Sequence, residues 1–248
     1  MMPGRSRLRS PRLPPQTRRR QGLALAGALL MLLGALILGV SVARTAFASM
    51  ASARLERDRM VARAAAEAAL ADAQADIDGG LLPSSDRAGW FKAGGGGFAD
   101  GCGHGSQDLG LCLPAAPSLP PVWQAIDLAA GAGVPLVPYG QFTGAVLATG
   151  SGMLPARLPG YLIETLAPAG AGPPEDRLYR ITGIGFGTRA TTQVVLQAVV
   201  RKTAGVPSAE ASPTGAAATG TPAAGTPAAR ISWREIANWP ELHARATH

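Results

Sequence analysis

Residues able to do chemistry are few and scattered. Cys102 and His104 sit in the run Asp100-Gly101-Cys102-Gly103-His104, with Cys112 eight residues further on. Three such ligands would suit zinc, but C-x-H is poor spacing for a tetrahedral site and no fourth ligand is evident. The other chemistry open to this cysteine pair is a disulfide, favoured wherever the chain folds in an oxidising compartment. His243 and His248 stand in the tail, where exposure to solvent is the ordinary state. Gly150-Ser151-Gly152 lacks the strand and the partner histidine of a nucleophile elbow. Gly94-Gly95-Gly96-Gly97 lacks the Lys-Ser/Thr that completes a phosphate loop. Glu67 is an acid on an alanine-rich helical stretch, either solvated surface or a contact to a neighbouring subunit. These residues predict no catalytic group, no metal and no cofactor.

The elements around them explain why. Leu23 to Ala43, LALAGALLMLLGALILGVSVA, carries no charge, and only Ser41 has a polar side chain. As a helix these 21 residues would span roughly 31 Å, about one bilayer core. Arg18-Arg19-Arg20 stand directly before the span, and no acid occurs before Glu56. Arginines on one side of an apolar span keep that side cytoplasmic, so the rest of the chain is expected outside the inner membrane. An oxidising compartment then makes a Cys102–Cys112 disulfide the favoured pairing.

The formal charge of +7 has the same origin. Seven arginines lie in residues 1–22, and their removal leaves sixteen basic against sixteen acidic residues from Leu23 onward. The basicity belongs to the leader and sets topology, so no nucleic-acid groove is expected.

Past the span, no glycine or proline interrupts Val40 to Asp78, and alanine dominates Ala62 to Ala75, so the helix is expected to continue. Arg54 with Asp58 and Arg63 with Glu67 are spaced to pair along it. Met50, Met60, Val61, Leu70 and Ile77 form a broken apolar stripe suited to packing on a sheet. Gly79-Gly80 and Pro83 end the helix. Residues 79–157 read as a glycine- and proline-rich loop region holding both cysteines, with a short helix or turn at Val122 to Leu128. Strands are expected at Leu158–Glu164, Asp176–Gly185, Thr191–Arg201 and Ile231–Ile236, the middle two forming a hairpin. Thr203 to Ala229, almost wholly Ala, Gly, Thr, Pro and Ser, repeats GTPAA and cannot bury a core; it reads as a disordered insert.

A basic leader ending in Gly22, an apolar helix, then Arg57-Asp58-Arg59 and Ala65-Ala66-Glu67-Ala68-Ala69-Leu70 together resemble the PilX type IV pilus assembly proteins, which are minor pilins. The resemblance covers Arg18 to Gln74 and returns at Tyr179 to Lys202 and Ile231 to Ile236. It implies an α+β, type IV pilin-like fold: a long N-terminal membrane-spanning helix packed on a small antiparallel β-sheet domain. The implied parts are a leader (1–22), the pilin helix (23–78), the loop region (79–157), the sheet (158–202), the insert (203–229) and a strand with tail (230–248). It also implies cleavage by prepilin peptidase between Gly22 and Leu23. Gly27, Arg57, Asp58, Arg59 and Glu67 would serve assembly, and other minor pilins and a PilY-class adhesin would be the partners. Major pilins carry a glutamate five residues after the cut, where this chain has Gly27, and that departure implies a tip or initiation subunit. The K-type pseudopilin of type II secretion shares the missing glutamate but usually carries an inserted helical domain. A signal-anchored periplasmic binding module is the alternative of a different class.

Overall fold

The computed structural model describes residues 18–80, 87–93, 96–131, 133–166, 176–203 and 227–247. Its elements are α1 (Arg18–Asp78), α2 (Arg87–Ala93), β1 (Leu111–Cys112), α3 (Val122–Ala125), β2 (Val137–Pro138), β3 (Gly160–Leu166), β4 (Asp176–Phe186), β5 (Gln193–Thr203), β6 (Ala229–Glu235) and α4 (Trp239–Ala246). Residues 1–17 of the expected leader and 204–226 of the expected insert lie outside the described residues. Contacts divide the chain into two units, Met1–Arg54 and Leu55–His248.

Among the described residues, helix α1 takes in Arg18 to Gly22 ahead of the apolar run expected to start it at Leu23, a stretch with no proline to break it. In the first unit its apolar side chains from Leu23 to Val42 are exposed, and no other described residue covers them. It is the one described helix long and apolar enough to cross a membrane. At its other end, the Gly80 N–H donates to Ala75 O (2.8 Å) and the Gly79 N–H to Asp76 O (3.0 Å). That pair of bonds closes a Schellman motif, and both glycines take the left-handed φ it requires (117° and 59°).

In the second unit, α1 lies on one face of a sheet with strand order β1-β3-β4-β5-β6, β2 also pairing with β3. β3 to β6 are antiparallel, in a register running Ile163↔Ile181↔Ala198↔Trp233. β1 joins β3 in parallel, Leu111 opposite Ile163, so the sheet is mixed and not purely antiparallel as expected. Two residues leave no periodic signal in the sequence, and the long return through residues 113–159 supplies the crossover a parallel pair needs.

The core against α1 is built from small residues. Ala62, Ala65, Ala66, Ala69 and Ala73 are buried with Leu70 and Ile77. Their partners include Tyr161, Ile163, Tyr179, Ile181, Leu196 and Val200. The expected stripe is corrected at Met50 and Met60, which stay more than half exposed. β4 answers the alanines with glycines at the closest approach. A Cβ on Gly185 would lie 2.2 Å from Ala62 O and Ala66 N, so only hydrogen fits there. On the opposite face, Leu162, Ile184, Phe186 and Val195 pack under α3, α4 and the Cys102–Cys112 disulfide.

Candidate assembly surfaces

Four aspartates of α1 face into the second unit. Asp58 precedes the buried alanines at 62, 65 and 69 and is followed by Asp72 and Asp76, a run of four- and three-residue steps that keeps one helix face. Each carboxylate holds a different segment. Asp58 accepts from the Thr188 N–H (2.6 Å), Thr188 Oγ1 (2.7 Å), Arg189 Nε (3.1 Å) and Thr192 Oγ1 (2.5 Å), gripping the β4–β5 hairpin. Burial alone would raise its pKa, but these bonds outweigh it and hold the carboxyl well below the usual range. The expected Arg54–Asp58 pair is therefore corrected: Asp58 is buried and spent within its own chain.

Asp72 accepts from the Gly140 N–H (2.7 Å) and from Thr143 Oγ1, fixing the loop after β2. Burial, with a smaller contribution from Asp76, raises its pKa despite those bonds. Asp76 forms a bidentate pair with Arg87, whose Nε lies 3.0 Å from Oδ1 and whose Nη2 lies 2.7 Å from Oδ2. Arg87 is fully buried; its Nη1 donates to Gln107 O (2.6 Å) and Leu109 O (2.9 Å), and its guanidinium lies 3.8 Å from the centre of the Phe142 ring. Tyr161 donates its hydroxyl to the same Asp76 (3.0 Å). Burial first, then the two aspartates, push the Tyr161 pKa well up, so it is a donor throughout the physiological range. Asp78 receives Lys202 Nζ (2.5 Å) and the Ala228 N–H (2.8 Å), joining the end of β5 to the approach to β6.

Sequence reasoning did not single out Asp72, Asp76, Asp78 or Arg87. The available signal was a carboxylate recurring in step with a buried alanine stripe, which a merely solvated helix face would not show.

Of the remaining predicted residues, Gly27, Arg57, Arg59 and Glu67 are exposed. Gly27 has no atom within 4 Å of where a Cβ would sit. Arg57 donates weakly to Met153 Sδ (3.8 Å), Arg59 pairs with Glu235, and Glu67 pairs with Arg63 at 3.1 Å as its spacing predicts. Gly22 and Leu23 are consecutive residues inside α1. His104 is exposed, whereas His243 is half-buried, its Nδ1 2.7 Å from Gln124 O and its ring stacked on Trp239. Cys102 and Cys112 are joined, so neither offers a thiolate to a metal.

This arrangement puts an apolar helix on one unit and a mixed sheet, clamped to the same helix, on the other. Residues 92–202, from the end of α2 through β5, match a family model described as the C-terminal part of the type IV pilus assembly protein PilX. Over those residues the chain carries a PilX-family domain. Comparison with curated proteins and with solved structures gives no match. PilX is a structural pilin family, and the chain is a minor pilin of type IV pilus assembly. It is anchored in a membrane by its N-terminal apolar helix and works together with other pilus components. The match includes the middle segment, with β1, α3 and β2, where the sequence offered no recognisable motif.

Proposed function

We propose that this PilX-type minor pilin belongs to the priming or tip complex of a type IV pilus. The observation that carries the reading is Gly27, the fifth residue after the expected cut, where a bulk subunit would carry a carboxylate. In a bilayer, an acid without a partner costs at least about 2.5 kcal/mol, so its absence favours a subunit that has no neighbour above it. The order Arg18-Arg19-Arg20, Gly22, Leu23 supports cleavage by prepilin peptidase after Gly22 and a cytoplasmic N-terminus. The second unit would then stand in the periplasm until assembly. Its partners would be other minor pilins and a PilY-class adhesin, met through Arg57, Arg59 and Glu67 on the outer side of α1. The K-type pseudopilin reading is less well supported, because the described helices between residues 79 and 159 have only seven and four residues.

Two measurements test this. Mass spectrometry of the membrane-extracted chain should find Leu23 at the N-terminus; an intact leader refutes the processing. Immunogold label should sit at pilus ends in few copies, and even label along the shafts refutes the tip position while leaving family membership untouched.

A further inference from the structure

β6 is the last strand of the sheet. One side pairs with β5 through Leu196↔Glu235 to Arg201↔Ala229, and no described residue bonds to the other side. All of β6 but Glu235 is exposed, including Ile231 (57%) and Trp233 (40%). An open edge of seven residues with exposed apolar side chains is a template for another strand, which proteins ordinarily cover or blunt. β6 contains no proline and no glycine to do so.

Its charges decide what could pair there. Arg230 contacts the Gln74 amide oxygen (3.5 Å), and Arg234 donates to the Gln197 amide oxygen from Nη2 (2.6 Å) and Nε (3.0 Å). Both acceptors are neutral amides, so these contacts compensate neither positive charge. The one acid of the strand, Glu235, is already shared between Arg59 and Arg63. Arg63 also lies over the Trp233 ring, 5.1 Å from its centre. Arg180 of β4, Gln197 and Val199 of β5 and Ser232 and Arg234 of β6 line a groove of about 280 Å³ that runs across these three strands up to the edge. Arg230 lies on the α1 face of the sheet and Arg234, past the β-bulge, on the other, so two copies paired β6 to β6 would gather four such charges along one seam, which disfavours self-association.

We propose that the open edge of β6 accepts an extended acidic strand from a partner component of the pilus. Backbone hydrogen bonds would supply the pairing, and carboxylates near Arg230 and Arg234 would select the partner. This deepens the reading of the chain as an assembling subunit.

The test uses the full-length chain in detergent micelles. The probe is a fluorescein-labelled ten-residue peptide of Val and Thr with Glu at both odd and even positions, so that carboxylates stand on both faces of the added strand. A Lys-for-Glu counterpart and an acidic version N-methylated on alternate amides serve as comparisons. The acidic peptide should bind at least roughly tenfold more tightly than either comparison and should slow amide exchange across residues 229–235. Arg230→Gln/Arg234→Gln should abolish the charge preference, and Arg230→Glu/Arg234→Glu should reverse it. Equal binding of the acidic and basic peptides, equal binding of the N-methylated one, no binding at all, or protection elsewhere each overturns the proposal. So does binding that appears only after residues 204–226 are deleted, which would mean the chain covers its own edge. Concentration-dependent dimerisation lost on charge reversal would assign the edge to a second copy instead. Failure here leaves the N-terminus and the pilus label untouched, so the two readings fail separately.

Discussion

The closest approach in the second unit, between β4 and α1, makes a quantitative prediction. Replacing Gly185 by alanine puts a methyl 2.2 Å from Ala62 O and Ala66 N. Ordinary contact begins at 3.4 Å, so the helix must retreat by about 1.2 Å. It cannot do so cheaply, because Asp58 and Asp72 clamp it on either side of the contact. Overpacking of this kind costs about 1–3 kcal/mol, and the backbone-to-methyl clash belongs at the upper end. Loss of glycine's unfolded-state freedom returns about 0.5–1 kcal/mol, leaving a net destabilisation of about 2 kcal/mol and a melting temperature lower by about 4–8 °C. Gly183 is the internal control. A methyl there meets Ala69 Cβ and Leu70 Cδ2 at 3.3 Å, just inside the 3.4 Å at which ordinary contact begins, so a very small settling of helix and strand relieves it. Gly183→Ala should stay within about 0.5 kcal/mol of the parent. Urea unfolding in mild detergent resolves the pair, since Trp90, Trp123, Trp233 and Trp239 all report on the second unit. Equal stabilities for the two variants would refute the seating of α1 on β4.

Other tests address the polar clamps and the disulfide. Removing one partner of the buried Arg87–Asp76 pair, as in Arg87→Met, should cost about 3–5 kcal/mol, and Arg87→Met/Asp76→Leu should recover part of it in the same unfolding assay. Asp58 has a folded-state pKa below its unfolded value of 3.8, so its contribution is complete above pH 4 and is lost as the pH falls through the lower value. Asp58→Asn should therefore flatten the acid limb of the stability profile. Asp72 and Glu164 have raised pKa values and act with the opposite sign: their ionisation opposes folding, and protonation on acidification favours it. Reduction of Cys102–Cys112 should add two hydrogens to the mass and cost about 2–3 kcal/mol, read by melting with and without reductant.

Much of the fold was legible because its signals are long. An uncharged run of 21 residues and an alanine block without breakers can hardly form anything but helix, and the β-branched Thr191–Arg201 stretch predicts a strand that the structure places at Gln193–Thr203. What escaped was short or depended on partners distant in sequence. β1 and β2 have two residues each, too few for a period, and exist only because β3 pairs with them. The helix face was misjudged at Met50 and Met60, since the sequence suggested large apolar side chains as the contact where the structure uses alanine against glycine. Asp58 was expected to pair four residues back along α1, whereas its partners lie some 130 residues further on. A helix face bearing both alanine and aspartate reads as solvent-facing until a sheet brings its own donors to it.

That alanine–glycine seam has a mechanical side. Flat surfaces of methyl and hydrogen come close together but interlock little, so they offer slight resistance to sliding along the helix axis. Register is held instead by Asp58 at one end and by Asp72, Asp76 and Asp78 at the other, twenty residues or roughly 30 Å apart. A pull on α1 loads these carboxylate bonds in shear, together and not one after another. The second unit therefore holds to the helix as a riveted plate does, stiff until its polar fastenings give and slippery once they have.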